Sequence, residues 1–160
     1  MLTDYQGLMI KHGLIIMLLG LVGGFLFMFS LVGAISFSPL PFEIDYELPG
    51  SSDRWRAVHV GNIMNGMMAI VFAFVIGSID IEKQAKKITA YGTVATIWGN
   101  AIFYIVGVLA PNHGITLGDN RLGESNWAGV VAFIPAYIVA LVLIYVVVTL
   151  IKAVDKQSGN

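Results

Sequence analysis

Residues 13–37 read GLIIMLLGLVGGFLFMFSLVGAISF, 25 positions without one ionisable side chain. At about 1.5 Å per residue a helix of that length crosses a hydrocarbon core of about 30 Å with some tilt. The apolar region of a signal peptide holds only about 7 to 15 residues, so the stretch reads as a retained span. Three further apolar runs follow, at about 57–79, 88–110 and 127–151. Backbone amides in lipid must pair within their own segment, so each run is predicted to be a helix. The alternation of barrel strands is missing. The fold class is therefore all-α: an integral membrane bundle of four transmembrane helices (about 13–37, 57–79, 88–110 and 127–151). One domain over residues 1–160 is expected.

Composition points the same way. Hydrophobic residues make up 57% of the 160 positions and charged residues 12%. Soluble domains carry about twice that charge, so a soluble monomer is excluded. A formal net charge of −1 leaves no basic surface for nucleic acid. With no cysteine there is no disulfide, thiolate metal site, iron–sulfur cluster or covalent c-type haem. Lys11, Lys83, Lys86, Lys87, Lys152 and Lys156 fall on one side of the four-span arrangement, and Arg54, Arg56 and Arg121 on the other. The positive-inside rule then places both termini and the middle loop in the cytoplasm.

In such a bundle the informative residues are polar ones at depth, each costly unless paired or used. Helix two offers His59, Asn62 and Asn65; helix three offers Asn100 and Tyr104, four apart on one stripe. The two helices run antiparallel, so His59, Asn65, Asn100 and Tyr104 fall at matched depth between the outer third and the middle of the bilayer. They form the candidate site. Interhelical hydrogen bonding is the competing explanation, and the better one for Asn62. His59 by itself fits a haem ligand, a proton carrier or a satisfied polar residue. The Gly20-x-x-x-Gly24 pair reads as close packing, and Pro135 is expected to bend helix four. Coupled transport lacks its intramembrane carboxylates, and no nucleophile–base pair or phosphate loop appears.

Particular residues resemble the styrene oxide isomerases, small four-helix membrane enzymes. These are His12-Gly13, Pro49-Gly50-Ser51 with Trp55, His59, Gly61 and Asn65-Gly66-Met67-Met68. Trp98, Asn100, Phe103 and Tyr104 follow, then Pro111-Asn112, Gly114, Thr116, Gly118, Asn120-Arg121, Gly123 and Pro135-Ala136-Tyr137. The resemblance implies a homotrimer in a bacterial inner membrane, with non-covalent haem b between subunits and His59 as the axial iron ligand. It implies that Asn65, Asn100 and Tyr104 line the pocket of a small hydrophobic epoxide. The implied reaction is a Meinwald rearrangement of an aryl epoxide such as styrene oxide to an arylacetaldehyde, with ferric iron as Lewis acid. The chain departs from the family pattern at His113, where a basic residue is usual, and at Asn62, where a small or apolar one is expected. The alternative function is a non-enzymatic haem protein for electron transfer in the membrane.

Overall fold

The computed structural model describes residues 1–159. Four long helices dominate it: α1 Asp4–Val32, α2 Ser52–Ser78, α3 Lys83–Val106 and α4 Trp127–Ser158. A 3-10 turn, Gly107–Leu109, extends α3. All four are long and apolar enough to cross a membrane, and the chain is an integral membrane protein.

The helix ends follow local chemistry rather than hydropathy alone. The apolar run predicts a start for α1 near Gly13, but the helix begins at Asp4. Thr3 and Gln6 form a reciprocal capping box there, satisfying donors of the first turn before any apolar stretch begins. At the other end Gly33 takes a left-handed conformation (φ 77°) and its N–H bonds back to Phe29 O at 2.9 Å. Residues 33–37 therefore leave the helix. Ile35–Ser36 (β1) pairs antiparallel with Glu43–Ile44 (β2), a small hairpin that takes in residues of the predicted first span. Ser51 caps α2 ahead of the apolar run. α4 continues past Ile151 to Ser158, where Gly159 closes it (φ 79°), and it runs unbroken through Pro135.

α1 lies along α2 and α3 along α4, and the turn between α2 and α3 joins the two pairs. Glycine makes the α1–α2 seam tight: a Cβ on Gly13 would stand 2.8 Å from Gly66 O. Met9, Ala73, Ile76, Ala90 and Val146 pack a core near the end that bears the termini, and Ile16, Ala69, Ile97 and Ala101 pack one at mid-bundle. Leu14, Leu18 and Phe25 of α1 and Leu141 and Ile144 of α4 stay exposed, as a lipid-facing surface requires.

The segment after the 3-10 turn folds over the opposite, loop-bearing end. Asn112 is fully buried, with Nδ2 donating to Thr116 O (3.0 Å) and Gly118 O (3.1 Å) while Oδ1 accepts from Gly114 N (3.0 Å). Asn120 Nδ2 donates to Asn112 O and to Thr116 Oγ1, and Asn126 Nδ2 donates to Leu109 O. A loop rich in turn formers thus becomes a fixed cap.

Candidate functional site

The structure brings three of the four candidate side chains together. Asn65, on the inner part of α2, gives Nδ2 to Gly61 O at 2.8 Å. A carbonyl oxygen only accepts, so this bond fixes the amide's orientation and leaves Oδ1 facing α3. There Asn100 Nδ2 donates to it at 2.9 Å. Tyr104, one turn along α3, lays its ring over Gly61: a Cβ on Gly61 would fall 2.5 Å from ring carbons. Phe103 supports that ring edge to face, with centroids 5.3 Å apart. Asn65 is 8% exposed, and no bond occupies the Tyr104 hydroxyl among the described residues. Beside Tyr104 a groove of about 480 Å³ opens along α2, lined by Ala57, Val60, Gly61 and Met64, with Asp53 and Arg56 at its outer end.

His59 sits at a comparable level but on the other flank. Residues 59 and 61 are about 200° apart around α2, so the imidazole meets α1 while Gly61 meets Tyr104. His59 Nδ1 lies 2.8 Å from Gly20 O. The carbonyl again accepts, so Nδ1 carries the proton and the Nε2 lone pair stays open. A Cβ on Gly24 would stand 2.8 Å from Nδ1 and 2.9 Å from Cε1. The Gly20-x-x-x-Gly24 pair, read in the sequence as packing alone, is therefore the bed on which the imidazole rests. A ring held through one nitrogen by a backbone carbonyl, with the other nitrogen free, is the usual arrangement of a metal-ligating histidine. His59 thus fits an axial haem ligand. Among the described residues no group of three or more His, Asp or Glu side chains gathers elsewhere.

The remaining polar residues are placed apart from this group. Asn62 is fully buried, bonds Val58 O through Nδ2 at 2.8 Å, and makes no bond to the Asn65–Asn100 pair. His12, about 12 Å from Gly20 along α1 at 1.5 Å per residue, accepts from Trp98 Nε1 at 3.0 Å. His113 lies in the loop cap with φ 60°. Sequence reasoning set Arg54 beside Arg56 and Arg121 as outer-face cations within reach of haem propionates, with nothing to single it out. It is 8% exposed, bonds Gly107 O through Nε at 3.1 Å, and sits over the Phe103 ring at 5.6 Å. Its signal in the sequence is that Ala57 and Val58, not carboxylates, stand three and four positions on.

With this geometry in hand, comparisons with known proteins agree on one family. The family model described as styrene oxide isomerase matches residues 5–154. The styrene-oxide isomerase of Pseudomonas fluorescens is 30% identical over 138 residues, covering 86% of this chain and 81% of that protein.

Proposed function

The chain belongs to the styrene oxide isomerase family and is a membrane-embedded epoxide isomerase; from that premise we propose that it converts aryl epoxides such as styrene oxide to arylacetaldehydes, with non-covalent haem b held by His59. The observation that carries the cofactor assignment is the His59–Gly20 hydrogen bond, which leaves one imidazole nitrogen oriented and free. When bound, ferric haem supplies a Lewis acid for the epoxide oxygen.

The rest of the chemistry falls to the chain and the substrate. The benzylic C–O bond opens, a hydride moves from the adjacent carbon to the benzylic position, and the oxygen becomes the aldehyde carbonyl. No atom is gained or lost and no net redox change occurs. Tyr104, with its hydroxyl unengaged, is suited to orient the epoxide by hydrogen bonding. Asn65 presents a fixed amide beside it, and Asn100 holds Asn65 in place. Tyr104, Asn65 and Asn100 are neutral, which suits a pocket where a cationic carbon develops, and the apolar stretch from Ala57 to Met64 disfavours water that would trap it as a diol.

His59 and the Tyr104 group face opposite flanks of α2, and this supports a homotrimer with haem between subunits. His59 of one copy and the Tyr104 group of the next then complete one pocket. Lysines gathered at the terminus-bearing end support cytoplasmic termini in a bacterial inner membrane. The electron-transfer alternative needs a second protein ligand, whereas His12 is bonded to Trp98 and His113 belongs to the loop cap.

Incubating membranes that carry the protein with styrene oxide and detecting phenylacetaldehyde by gas chromatography tests the reaction. Purified protein is expected to show a Soret band, and His59→Ala to lose both the band and the activity. A fully active His59→Ala enzyme would reject the cofactor assignment while leaving the isomerase in place.

A further inference from the structure

Arg54 is a buried guanidinium without a counter-ion among the described residues. Of its donors only Nε–H meets an acceptor, and Nη2 is enclosed with none among the described residues. The adjacent acid gives no relief, because Asp53 faces Arg56 at 3.4 Å on the exposed side of the helix. A charged group so placed in a membrane protein is costly unless something pairs with it.

The guanidinium also lines a cavity of about 410 Å³ at the loop-bearing end. Pro49, Gly50 and Ser51 form one wall, and Val108, Pro111 and His113 another. The first wall leads into the 27-residue α2 and ends at its N-cap Ser51, which makes no side-chain capping bond. The positive end of the helix dipole therefore lies beside the same space as Arg54. His113 adds a ring able to donate. Val108, Pro49 and Pro111 make the remainder apolar. With Nε bonded and Nη2 enclosed, Nη1 is the donor left to meet a ligand there, and a carboxylate with an apolar body suits one charge-assisted hydrogen bond among these apolar walls.

We propose that this cavity is a carboxylate-binding site, the anion held between the Arg54 guanidinium and Ser51 at the start of α2 with its apolar body against Val108 and Pro111. The site stands on Arg54 and the cavity, and does not depend on His59 holding a cofactor. Two sources supply the chemistry: a propionate arm of haem, or a free small carboxylic acid.

Trp55 Nε1 donates to Pro49 O at 2.9 Å, so its fluorescence reports on the cavity wall. The full-length protein carrying Trp98→Phe and Trp127→Phe is titrated with propionate and with benzoate against chloride at equal ionic strength. The titration is run on protein as isolated and after haem extraction. A saturable response to the carboxylates and none to chloride is expected. Arg54→Gln is expected to weaken binding about 10- to 100-fold, the loss of a charge-assisted hydrogen bond. Arg54→Lys keeps the charge, serves if Arg54→Gln does not fold, and is expected to weaken binding about 10-fold. Binding only after haem removal assigns the site to the cofactor's own carboxylate; binding in both forms assigns it to a free acid. Protein isolated without haem still binds the carboxylates if the site is real, so failure of the cofactor assignment stays distinguishable. No saturable response in either form, or affinity unchanged in both Arg54 variants, overturns the proposal.

Discussion

Asn100 Nδ2 stands 2.9 Å from Asn65 Oδ1, and Asn65 in turn holds Gly61 O at 2.8 Å, so one chain of amides links α3 to the backbone of α2. That chain passes directly beneath the Tyr104 ring, which rests on the same Gly61. Asn65 is thereby held at both ends of its side chain, and in the proposed pocket Asn100 would act through it.

The arrangement predicts strong non-additivity. Asn65→Ala and Asn100→Ala are each expected to lower kcat/KM about 10- to 100-fold, if each contributes one oriented hydrogen bond worth about 1.5–3 kcal/mol. The double variant is expected to be little worse than Asn65→Ala alone, because Asn100 has nothing left to hold. Initial rates of aldehyde formation over the four proteins measure this. Strictly multiplicative losses would show that the two amides act independently.

Tyr104 and Gly61 can be separated in the same way. Tyr104→Phe keeps the ring on Gly61 and removes only the hydroxyl, so activity falls about 10- to 100-fold with unfolding unchanged. Gly61→Ala puts a Cβ 2.5 Å from the ring and displaces Tyr104 while its hydroxyl remains. A loss comparable to that of Tyr104→Phe is expected, with a lowered thermal midpoint as well. Gly7→Ala on α1 meets nothing within 4 Å and serves as the control.

The spans and the depth of the polar residues were legible because both depend on counting. Hydropathy marks where a helix must be, and a rise of about 1.5 Å per residue converts position into level, which put Asn65 beside Asn100. The flank to which a side chain turns depends on which neighbour lies where. His59 and Gly61 are two positions apart, yet one meets α1 and the other α3. The start of α1 was hidden for a different reason. Thr3 and Gln6 make a helix end by hydrogen bonding, and a hydropathy profile carries no trace of it. Arg54 could not be told from Arg56 and Arg121 because burial of a charge at a helix start is a tertiary property: Phe103 and Gly107, both some fifty residues away, enclose it.

The loop cap gives a prediction about stability. Asn112 has no exposed surface and three side-chain hydrogen bonds, all to backbone groups of its own loop. Asn112→Ala leaves Gly114 N–H and Thr116 O without partners, while Gly118 O keeps the Thr116 hydroxyl at 2.7 Å, at a cost of about 2–4 kcal/mol in total. Thermal unfolding in detergent is expected to drop by several degrees, and proteolysis between Pro111 and Gly123 to accelerate. Asn112→Asp keeps the acceptor for Gly114 but sets a buried carboxylate oxygen against the Thr116 and Gly118 carbonyls, and is expected to melt below Asn112→Ala. Equal midpoints for all three proteins would mean that the loop is held elsewhere.

The bed beneath His59 supplies the sharpest test of the proposed cofactor. Gly24 carries no catalytic group, and a methyl there would stand 2.8 Å from Nδ1 of the imidazole. Gly24→Ala must push the ring away from Gly20 O, breaking the bond that fixes its tautomer. Weakened haem retention is expected, about 10- to 100-fold in affinity, the range for loss of an outer partner of a metal-ligating histidine. The readout is the Soret absorbance per mole of protein across a haem titration, followed by activity at saturating haem. Activity recovered at high haem would show that Gly24→Ala weakens attachment while leaving the Tyr104 pocket intact, as its place on the opposite flank of α2 requires. Haem affinity unchanged in Gly24→Ala would remove the Gly20–His59 contact from the account of how iron is held.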